Sequence, residues 1–427
     1  MKNLIKKILS LIVHPDVLSN YLLKVKNIIG KAYDPYGFSK MLYCMHKDTT
    51  GHHDQLIAWA NSCLERKLDL ESPECYARDR DPLVIQGHEL LRSIKNEFAG
   101  RYKHLHNIRI MIHLPDYAMS PAGYSLFNNF AQGFEFLGIP VKLHSFDDIV
   151  ADDLKSFKPT VFLTSDSEHY LRNIDWRAME EYRKKEKLIL GLTASLEEYG
   201  NTPLAGRLEW GRNHGVNFYY SFRAPEYIAE RKEYREFDNE GFPVFNLEFG
   251  ANPLIHYAVP GIERDLDYIF LASINPDKWR RCVDYCVPIF RDYPGLIHGP
   301  GWPAIRDQSI VPARDRFLYA RAKVGINLHL QEQIEWACEL NERTYILAAC
   351  GVPQLIDHPG LLLKRFSHES MFVAETPGQY VELFNYMLHN REKAEKKALS
   401  AQREVFEKYT IFHSIEKFID QLSVIFR

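Results

Sequence analysis

Short apolar runs alternate with helical stretches from Asn107 onward, and few architectures accommodate that alternation. A first series of six runs ends before Pro253, and a second series of five begins at Leu266. The predicted strands are 108–114, 141–146, 160–165, 187–193, 217–222, 244–247, 266–272, 296–298, 324–330, 353–357 and 372–373. Because parallel strands need long crossover connections, the pattern predicts two doubly wound parallel α/β sheets.

The chain of 427 residues divides into four predicted parts. Residues 1–105 show helical spacing and no convincing strand, so they form a helical N-terminal extension. Residues 106–258 and 259–410 each form a Rossmann-like domain, and residues 411–427 form a final amphipathic helix. Open parallel sheets bind ligands at the carboxyl ends of their strands. Two such domains facing across a cleft suit the transfer of a group between two substrates.

The composition excludes several classes of protein. Hydrophobic residues make up 46% and aromatic residues 13%, which is too much for a disordered chain. The 53 basic and 56 acidic residues give a net charge of −3, so no nucleic-acid partner is expected. No stretch reaches the ~20 apolar residues of a membrane-spanning helix. Seven cysteines without a Cys-x-x-Cys pair indicate reduced thiols and a cytoplasmic location.

The first thirteen residues have an amphipathic pattern. On a helix, one face carries the apolar residues and the other the lysines: Leu4, Ile5, Ile8, Leu11 and Ile12 against Lys2, Lys6 and Lys7. One interpretation is peripheral contact of residues 1–13 with the inner face of an anionic membrane. The other is a terminal helix packed against the protein body.

Two strand-to-helix turns have the features of a phosphate site. In the first, Gly123 lets the backbone approach a ligand, and the alternative is a tight turn without a ligand. In the second, Asn341 is a good N-cap for a helix whose free N–H groups and dipole favour a diphosphate. Arg343 would add a guanidinium suited to phosphate oxygens. In the alternative, Arg343 faces solvent or pairs with Glu339.

The second series carries motifs with a family resemblance. A strand ends in Asn327-x-His329, and Asn341-Glu-Arg-Thr-Tyr-Ile-Leu-Ala-Ala-Cys-Gly351 follows. Upstream lie His298-Gly-Pro-Gly-Trp302 and Phe249-Gly-Ala-Asn-Pro253. Together these motifs resemble the glycosyltransferase-like family named after the spore maturation protein CgeB. The resemblance extends from about Phe249 to the C-terminus and is faint or absent before it.

The resemblance implies a GT-B glycosyltransferase. In that interpretation 106–258 is the acceptor-side domain, 259–410 binds a nucleotide-diphosphate sugar, and 411–427 crosses back to the acceptor-side domain. The nucleotide sugar is a co-substrate, and neither a metal nor another cofactor is expected. The expected partners are the nucleotide sugar and a glycan, lipid-linked or protein acceptor. Asp79-Arg80-Asp81 has the Asp-x-Asp form that some metal-using glycosyltransferases employ, but a solvated loop is the favoured interpretation.

One position departs from the family pattern. Where related enzymes have a ribose-binding Glu, this chain has Ile346. Glu342 lies one turn earlier on roughly the same face and could compensate. A second Glu of such enzymes, which contacts the donor sugar, corresponds to Cys338. Glu339 beside it and Glu335 one turn back are the substitute candidates, although neither is in register. The helix start Asn341, Glu342, Arg343 and Thr344 completes the expected nucleotide-sugar site.

Catalytic candidates follow the strands of the first domain. An inverting transferase needs a general base, usually a histidine or a carboxylate. Asp116 follows the first strand and His169 follows the third, and both are predicted to face the cleft. They are the chosen catalytic candidates; the other polar residues at these ends are His113, Asp166 and Glu168. The alternative for each is an ordinary polar residue at a strand end.

Two basic residues are candidates on the second domain. Lys278 follows the first strand there and would neutralise a leaving diphosphate, unless it is a solvated lysine at a helix start. His329 points at the same cleft, and the alternative is a buried, hydrogen-bonded histidine. Cys282 and Cys286 lie four apart on a helix, where packing is favoured over metal binding.

The sequence thus predicts transfer of a sugar from a nucleotide-diphosphate sugar to an acceptor hydroxyl, in the synthesis of a surface glycan or glycoconjugate. The alternative is a non-catalytic GT-B-like binding or assembly protein that has lost donor binding, as Ile346 suggests. A third interpretation is an epimerase that converts a nucleotide sugar without an acceptor.

Overall fold

The structure is a computed structural model that describes residues 71, 73–77, 79–117, 120–194, 196, 203–272, 276–298 and 312–426. The predictions for residues 1–13, the helical extension before residue 71 and residues 299–302 of the upstream motif lie outside the described residues.

A six-stranded parallel sheet forms the centre of the first domain, in the order β2-β1-β3-β4-β5-β6. Its strands are β1 (Ile110–Leu114), β2 (Val141–Ser145), β3 (Val161–Thr164), β4 (Ile189–Thr193), β5 (Phe218–Ser221) and β6 (Val244–Asn246). Ile110 pairs in register with Val141 on one side and Val161 on the other. Strands β1, β3 and β5 are buried throughout, because helices cover both faces of the sheet.

A five-stranded parallel sheet forms the second domain, in the order β11-β10-β9-β7-β8. Its strands are β7 (Leu266–Leu271), β8 (Gly295–His298), β9 (Ala322–Asn327), β10 (Gln354–Asp357) and β11 (Phe372–Ala374). The prediction of two Rossmann-like parallel α/β domains is confirmed. Each predicted strand is present, with ends that differ by a few residues.

Helices fill the connections between the strands. The described helices are α1 (Pro73–Tyr76), α2 (Pro82–Phe98), α3 (Pro121–Phe136), α4 (Val150–Phe157), α5 (Glu168–Leu171), α6 (Trp176–Arg183), α7 (Leu204–Asn213), α8 (Pro225–Glu230), α9 (Lys232–Asn239), α10 (Pro276–Asp292), α11 (Pro312–Ala320), α12 (Gln331–Glu335), α13 (Glu342–Ala349), α14 (Leu362–Arg365), α15 (Pro377–His389), α16 (Arg391–Lys408) and α17 (Ile411–Phe426). Among them, no helix is both long enough and apolar enough to cross a bilayer. The sequence patterns did not single out α1, α4, α5, α7, α9, α12 or α14, and the segment of α1 was expected to be a loop. Helix α7 buries Arg207, Leu208 and Gly211, so it lacks the apolar spacing of an amphipathic helix.

The Asp-x-Asp segment has a structural role. Asp81 caps α2 by accepting a hydrogen bond from the Leu83 amide at 2.9 Å, and its other oxygen pairs with Arg264 at 3.1 Å. Asp79 accepts a hydrogen bond from the Gly261 amide at 2.8 Å. The segment therefore ties the described part of the N-terminal extension to the chain that leads into β7.

The last helix returns to the first domain. Helix α17 packs against α3 and β6. The fully buried Phe418 ring lies 6.0 Å from the rings of Phe134 and Phe218 and 6.1 Å from that of Phe245. Helix α17 thus completes the core on one face of the six-stranded sheet.

The carboxyl edges of the two sheets meet. Arg223 follows β5, and its guanidinium lies 2.8 Å from the carboxylate of Glu339, which follows β9. The adjacent Ala224 amide donates to the Cys338 carbonyl at 2.7 Å. Loops at the ligand-binding ends of both sheets therefore face each other.

Candidate functional site

Each sheet has a topological switch point where a ligand site is expected. Strand β1 has β2 and β3 as neighbours, so the first switch point lies between β1 and β3. Strand β7 has β8 and β9 as neighbours, so the second lies between β7 and β9. In open parallel sheets, ligands bind beyond the carboxyl ends of the strands at these points.

Asn341 organises the start of α13 at the second switch point. Its side-chain oxygen accepts a hydrogen bond from the Thr344 amide at 3.1 Å. Its amide nitrogen donates to Asn327 Oδ1 at 2.9 Å and to the Leu328 carbonyl at 3.0 Å. The cap thus fixes the helix start to the end of β9. The backbone N–H groups of Glu342 and Arg343 have no acceptor within the helix, which leaves them suited to an anion.

Arg343 joins the two strands of this switch point. Its Nε donates to the Leu271 carbonyl at 2.7 Å, and a terminal nitrogen lies 3.4 Å from Asn327 Oδ1. The guanidinium also stacks 5.1 Å from the centre of the Phe270 ring. Burial lowers the pKa of Arg343 from its usual value. Arg343 is half-buried and is hydrogen-bonded to the end of β7. Its position therefore matches neither the solvent-facing nor the Glu339-paired alternative.

His329 is completely buried beneath the same helix start. Its Nδ1 donates to Asp357 Oδ1 at 2.7 Å, and its backbone amide donates to Oδ2 at 2.9 Å. Nε2 lies 3.3 Å from the hydroxyl of Thr344, and Arg281 also pairs with Asp357 at 2.8 Å. Although burial opposes ionisation, His329 and Arg281 hold the pKa of Asp357 below its usual value. This environment matches the buried, hydrogen-bonded alternative for His329.

The carboxylates near the helix start have different partners. Burial raises the pKa of Glu342 to about 7, the charge of Glu339 adds to the rise, and Arg343 opposes it. Glu339 Oε1 accepts hydrogen bonds at 2.8 Å from both Gln333 and Arg223. Ile346 packs against an apolar cluster that includes residues of β7 and α11. Ile346, which stands where related enzymes have the ribose-binding Glu, therefore makes a hydrophobic contact.

Asp116 and His169 both lie exposed at the first switch point, beyond β1 and β3. The His169 ring lies 5.1 Å from the Phe146 ring. His113, in contrast, is fully buried, with Nδ1 3.0 Å from the Thr164 hydroxyl. Burial, helped by His144 and His169, lowers its pKa to about 3. Asp116 and His169 are accessible to an incoming substrate, whereas His113 stays neutral in the core.

Gly123 lies in the first turn of α3 rather than before the helix. Its amide donates to the capping hydroxyl of Ser120 at 3.3 Å. A Cβ atom at Gly123 would lie 2.7 Å from that hydroxyl oxygen and 3.2 Å from the Tyr170 hydroxyl. Gly123 therefore allows the Ser120 and Tyr170 side chains to approach the helix backbone closely.

Two candidates for other chemistry have packing or pairing roles. Cys282 and Cys286 are free and buried, as the packing interpretation predicts. Within the described ranges, His144, Asp148 and Asp153 are close enough to share a metal, with ligand atoms within 4.8 Å. However, Nδ1 of His144 lies 2.9 Å from Asp153, and Lys142 lies 3.4 Å from its other oxygen. These contacts already satisfy the Asp153 carboxylate.

One predicted site residue has a side chain that the structure does not describe, and two site residues were not predicted. The Lys278 side chain is outside the described part of the chain. Two site residues were not predicted: Asp357, the last residue of β10, which holds His329, and Arg223, which follows β5. Their signal was available, because both are polar residues at or just past the carboxyl end of a strand.

Comparison with known proteins gives one family match and several structural similarities. Residues 285–420 match the family model described as "Glycosyl transferase-like". No curated protein matches the sequence.

The structurally similar proteins all have low sequence identity to this chain. Phage T4 BGT in complex with UDP-glucose is 12% identical with a TM-score of 0.46, over 74% of this chain and 99% of that chain. HepE of Anabaena in complex with UDP and glucose is 10% identical with a TM-score of 0.47, over 74% and 100%. Sucrose-phosphate synthase of Thermosynechococcus elongatus is 12% identical with a TM-score of 0.46, over 74% and 100%.

The family match spans about a third of the chain and includes the switch-point residues His329, Asn341 and Arg343. Residues 285–420, which include most of the second domain and the first part of α17, are therefore similar to the glycosyl transferase-like family.

Proposed function

We propose that the protein transfers a sugar from a nucleotide-diphosphate sugar to an acceptor hydroxyl. The single observation that supports this most is the start of α13. There, a capped helix N-terminus and Arg343 converge on the β7/β9 switch point, inside the segment that matches the glycosyl transferase-like family.

The donor would bind with its diphosphate at the start of α13. The N–H groups of Glu342 and Arg343 and the positive end of the helix dipole favour the phosphate oxygens. The terminal nitrogens of Arg343 extend the same positive surface, because its Nε already holds the guanidinium on Leu271. Neutralising the diphosphate as it leaves stabilises the transition state. His329, Asp357 and Thr344 would keep this surface in place without touching the donor.

The acceptor would approach the first domain. Its hydroxyl oxygen attacks the anomeric carbon, the bond from that carbon to the diphosphate oxygen breaks, and the hydroxyl proton passes to a base. Asp116 or His169 is the proposed base, since both are exposed at the β1/β3 switch point. The proposed acceptor is a glycan, lipid-linked molecule or protein, and the proposed setting is surface glycan or glycoconjugate synthesis.

In the proposed mechanism, protein groups neutralise the charge of the diphosphate, and no step requires a metal ion. Activity that is lost in EDTA and restored by Mg²⁺ or Mn²⁺ would contradict this part of it.

A second candidate is a non-catalytic binding protein. The observation that favours it is Ile346, whose side chain packs on the apolar cluster and offers no carboxylate to a ribose. In the catalytic proposal, Glu342 takes the place of the ribose-binding Glu. The non-catalytic alternative needs no such residue.

A thermal-shift screen separates the two. UDP, GDP, ADP, CMP and their common sugar conjugates are added at millimolar concentration, and a binder raises the unfolding temperature. The transferase proposal expects at least one nucleotide diphosphate to stabilise the protein. Incubation of the matching nucleotide sugar with candidate acceptors should then release that diphosphate. No shift with any nucleotide would favour the binding-protein alternative.

A further inference from the structure

An arginine of the first domain pairs with carboxylates of the second. The Arg223 guanidinium lies 2.8 Å from Glu339 Oε1 and 3.6 Å from Glu332 Oε1. The side chains of Arg223 and Glu339 are only 21% and 12% exposed. The pair is therefore largely removed from water. In that less polar surrounding, the attraction between the two charges is stronger than it would be in solvent.

Both partners are held in place by their own domains. The Arg223 amide donates to the Ser221 hydroxyl at 3.2 Å, and its carbonyl accepts from the Asn246 side chain at 2.7 Å. On the other side, Gln333 donates to the Glu339 carboxylate at 2.8 Å. The ion pair forms only where the two domains adopt this mutual arrangement.

The position of Glu339 gives the pair a consequence for ligand binding. Glu339 lies two residues before Asn341, which caps the helix start proposed to receive the diphosphate. Its charge contributes to raising the pKa of Glu342, so its field reaches that helix start. An uncompensated carboxylate there would repel an incoming anion.

We propose that Arg223 is a positioning residue that couples contact between the domains to nucleotide binding. By neutralising Glu339, Arg223 makes the start of α13 receptive to a diphosphate while the first domain is docked. Nucleotide binding and docking of the domains then favour each other by the same free energy. This inference rests on the proposed function, because it concerns the same nucleotide site.

A second ion pair between the domains provides the control. Arg365 of the second domain pairs with Glu226 at 2.7 Å and Glu248 at 3.1 Å, both in the first domain. It holds the domains together as Arg223 does, but neither carboxylate lies at the start of α13. Loss of Arg365 therefore loosens the interface without leaving a charge at the proposed nucleotide site.

The test is a charge-rescue cycle on the full chain. Binding of UDP alone, and of GDP alone, is measured by calorimetry for wild type, R223Q, E339Q, R223Q/E339Q and R365Q. Free diphosphates are used so that contacts of Glu339 with a donor sugar play no part. We expect R223Q to bind about tenfold more weakly. The double variant should return close to wild type, and R365Q, which loosens the interface but leaves Arg223 paired with Glu339, should lose clearly less affinity than R223Q. Urea unfolding of each variant checks that it is folded.

Three results would overturn the inference while leaving the proposed function intact. They are wild-type affinity in R223Q, failure of E339Q to rescue R223Q, and a loss in R365Q equal to that in R223Q. If wild type binds no nucleotide diphosphate, the proposed function falls and this inference falls with it.

Discussion

Nε of Arg343 donates a hydrogen bond of 2.7 Å to the carbonyl oxygen of Leu271, 72 residues away along the chain. The bond connects the first turn of α13 to the end of β7 and aligns a cation with the β7/β9 switch point. Because the backbone carbonyl holds one edge of the guanidinium, the terminal nitrogens are oriented before a ligand arrives. Such preorganisation reduces the free-energy cost of ordering a side chain on binding.

Replacing Arg343 tests this role. R343A should weaken nucleotide diphosphate binding at least about tenfold, because a charge-assisted hydrogen bond contributes ~1.5–3 kcal/mol. R343K keeps the charge but loses the planar fork, so it should fall between wild type and R343A. Calorimetric titration measures both. The control is R177A, which removes an exposed arginine from α6. Unchanged affinity and turnover in R343A would remove Arg343 from the site.

Glu342 predicts a pH dependence. Its pKa is about 7 in the folded protein and near 4.5 when unperturbed, chiefly because of burial. Between these values the folded state binds more protons than the unfolded state, so its contribution to stability falls as pH rises. E342Q should remove this fall and raise the free energy of unfolding at pH 8 by ~1–2 kcal/mol, allowing for partial exposure. Urea unfolding at a series of pH values measures the effect.

The control for this series is E382Q, on an exposed position of α15. It should leave the pH profile of wild type unchanged. A profile of E342Q that parallels wild type from about pH 4.5 to 7 would show that Glu342 is ionised without cost in the folded protein.

Asp357 supports His329 from beneath the site. D357N removes the charge that both His329 and Arg281 use, and disruption of a buried pair costs ~3–5 kcal/mol. The urea midpoint should fall accordingly. D292N, which alters an exposed ion pair on α10, should leave the midpoint nearly unchanged. Equal midpoints for the two variants would contradict a structural role for the His329–Asp357 pair.

Phe418 anchors α17 to the first domain. F418A should destabilise the protein by ~3–5 kcal/mol, because a fully buried ring is replaced by a cavity. Val424 lies on the same helix and is 67% exposed, so V424A is the matched control and should have little effect. Chemical unfolding followed by circular dichroism compares them. A small loss in F418A would mean that α17 is not part of the cooperative core.

Gly123 and Gly378 form a second matched pair on helix first turns. G123A places a Cβ 2.7 Å from the Ser120 hydroxyl oxygen, and this crowding should cost ~1–3 kcal/mol. G378A meets nothing within 4 Å and should be neutral or stabilising by up to ~1 kcal/mol. Thermal unfolding distinguishes the two. Stabilisation by G123A would show that Ser120 and Tyr170 move aside freely.

Local signals in the sequence determined the secondary structure well. The strands could be predicted because buried parallel strands are short apolar runs that glycine, proline and polar residues interrupt. The cap at Asn341 could be predicted because capping involves residues three apart. Helix α7 was missed because its buried face includes an arginine, which pairs with Asp166 beyond β3.

The chemistry of the site depended on contacts between distant segments. The sequence alone identified Arg343, His329 and Glu339 as candidates, but their partners are Leu271, Asp357 and Arg223, which lie on other strands or in the other domain. Sequence spacing relates residues that are about one helical turn apart or on neighbouring positions of a strand. These partners are far apart in the sequence and meet only because the sheets and domains pack together. The sequence by itself therefore determined the elements and the residue types at their ends. Only the tertiary structure decided which charges are paired, because burial and pairing depend on which loops pack together.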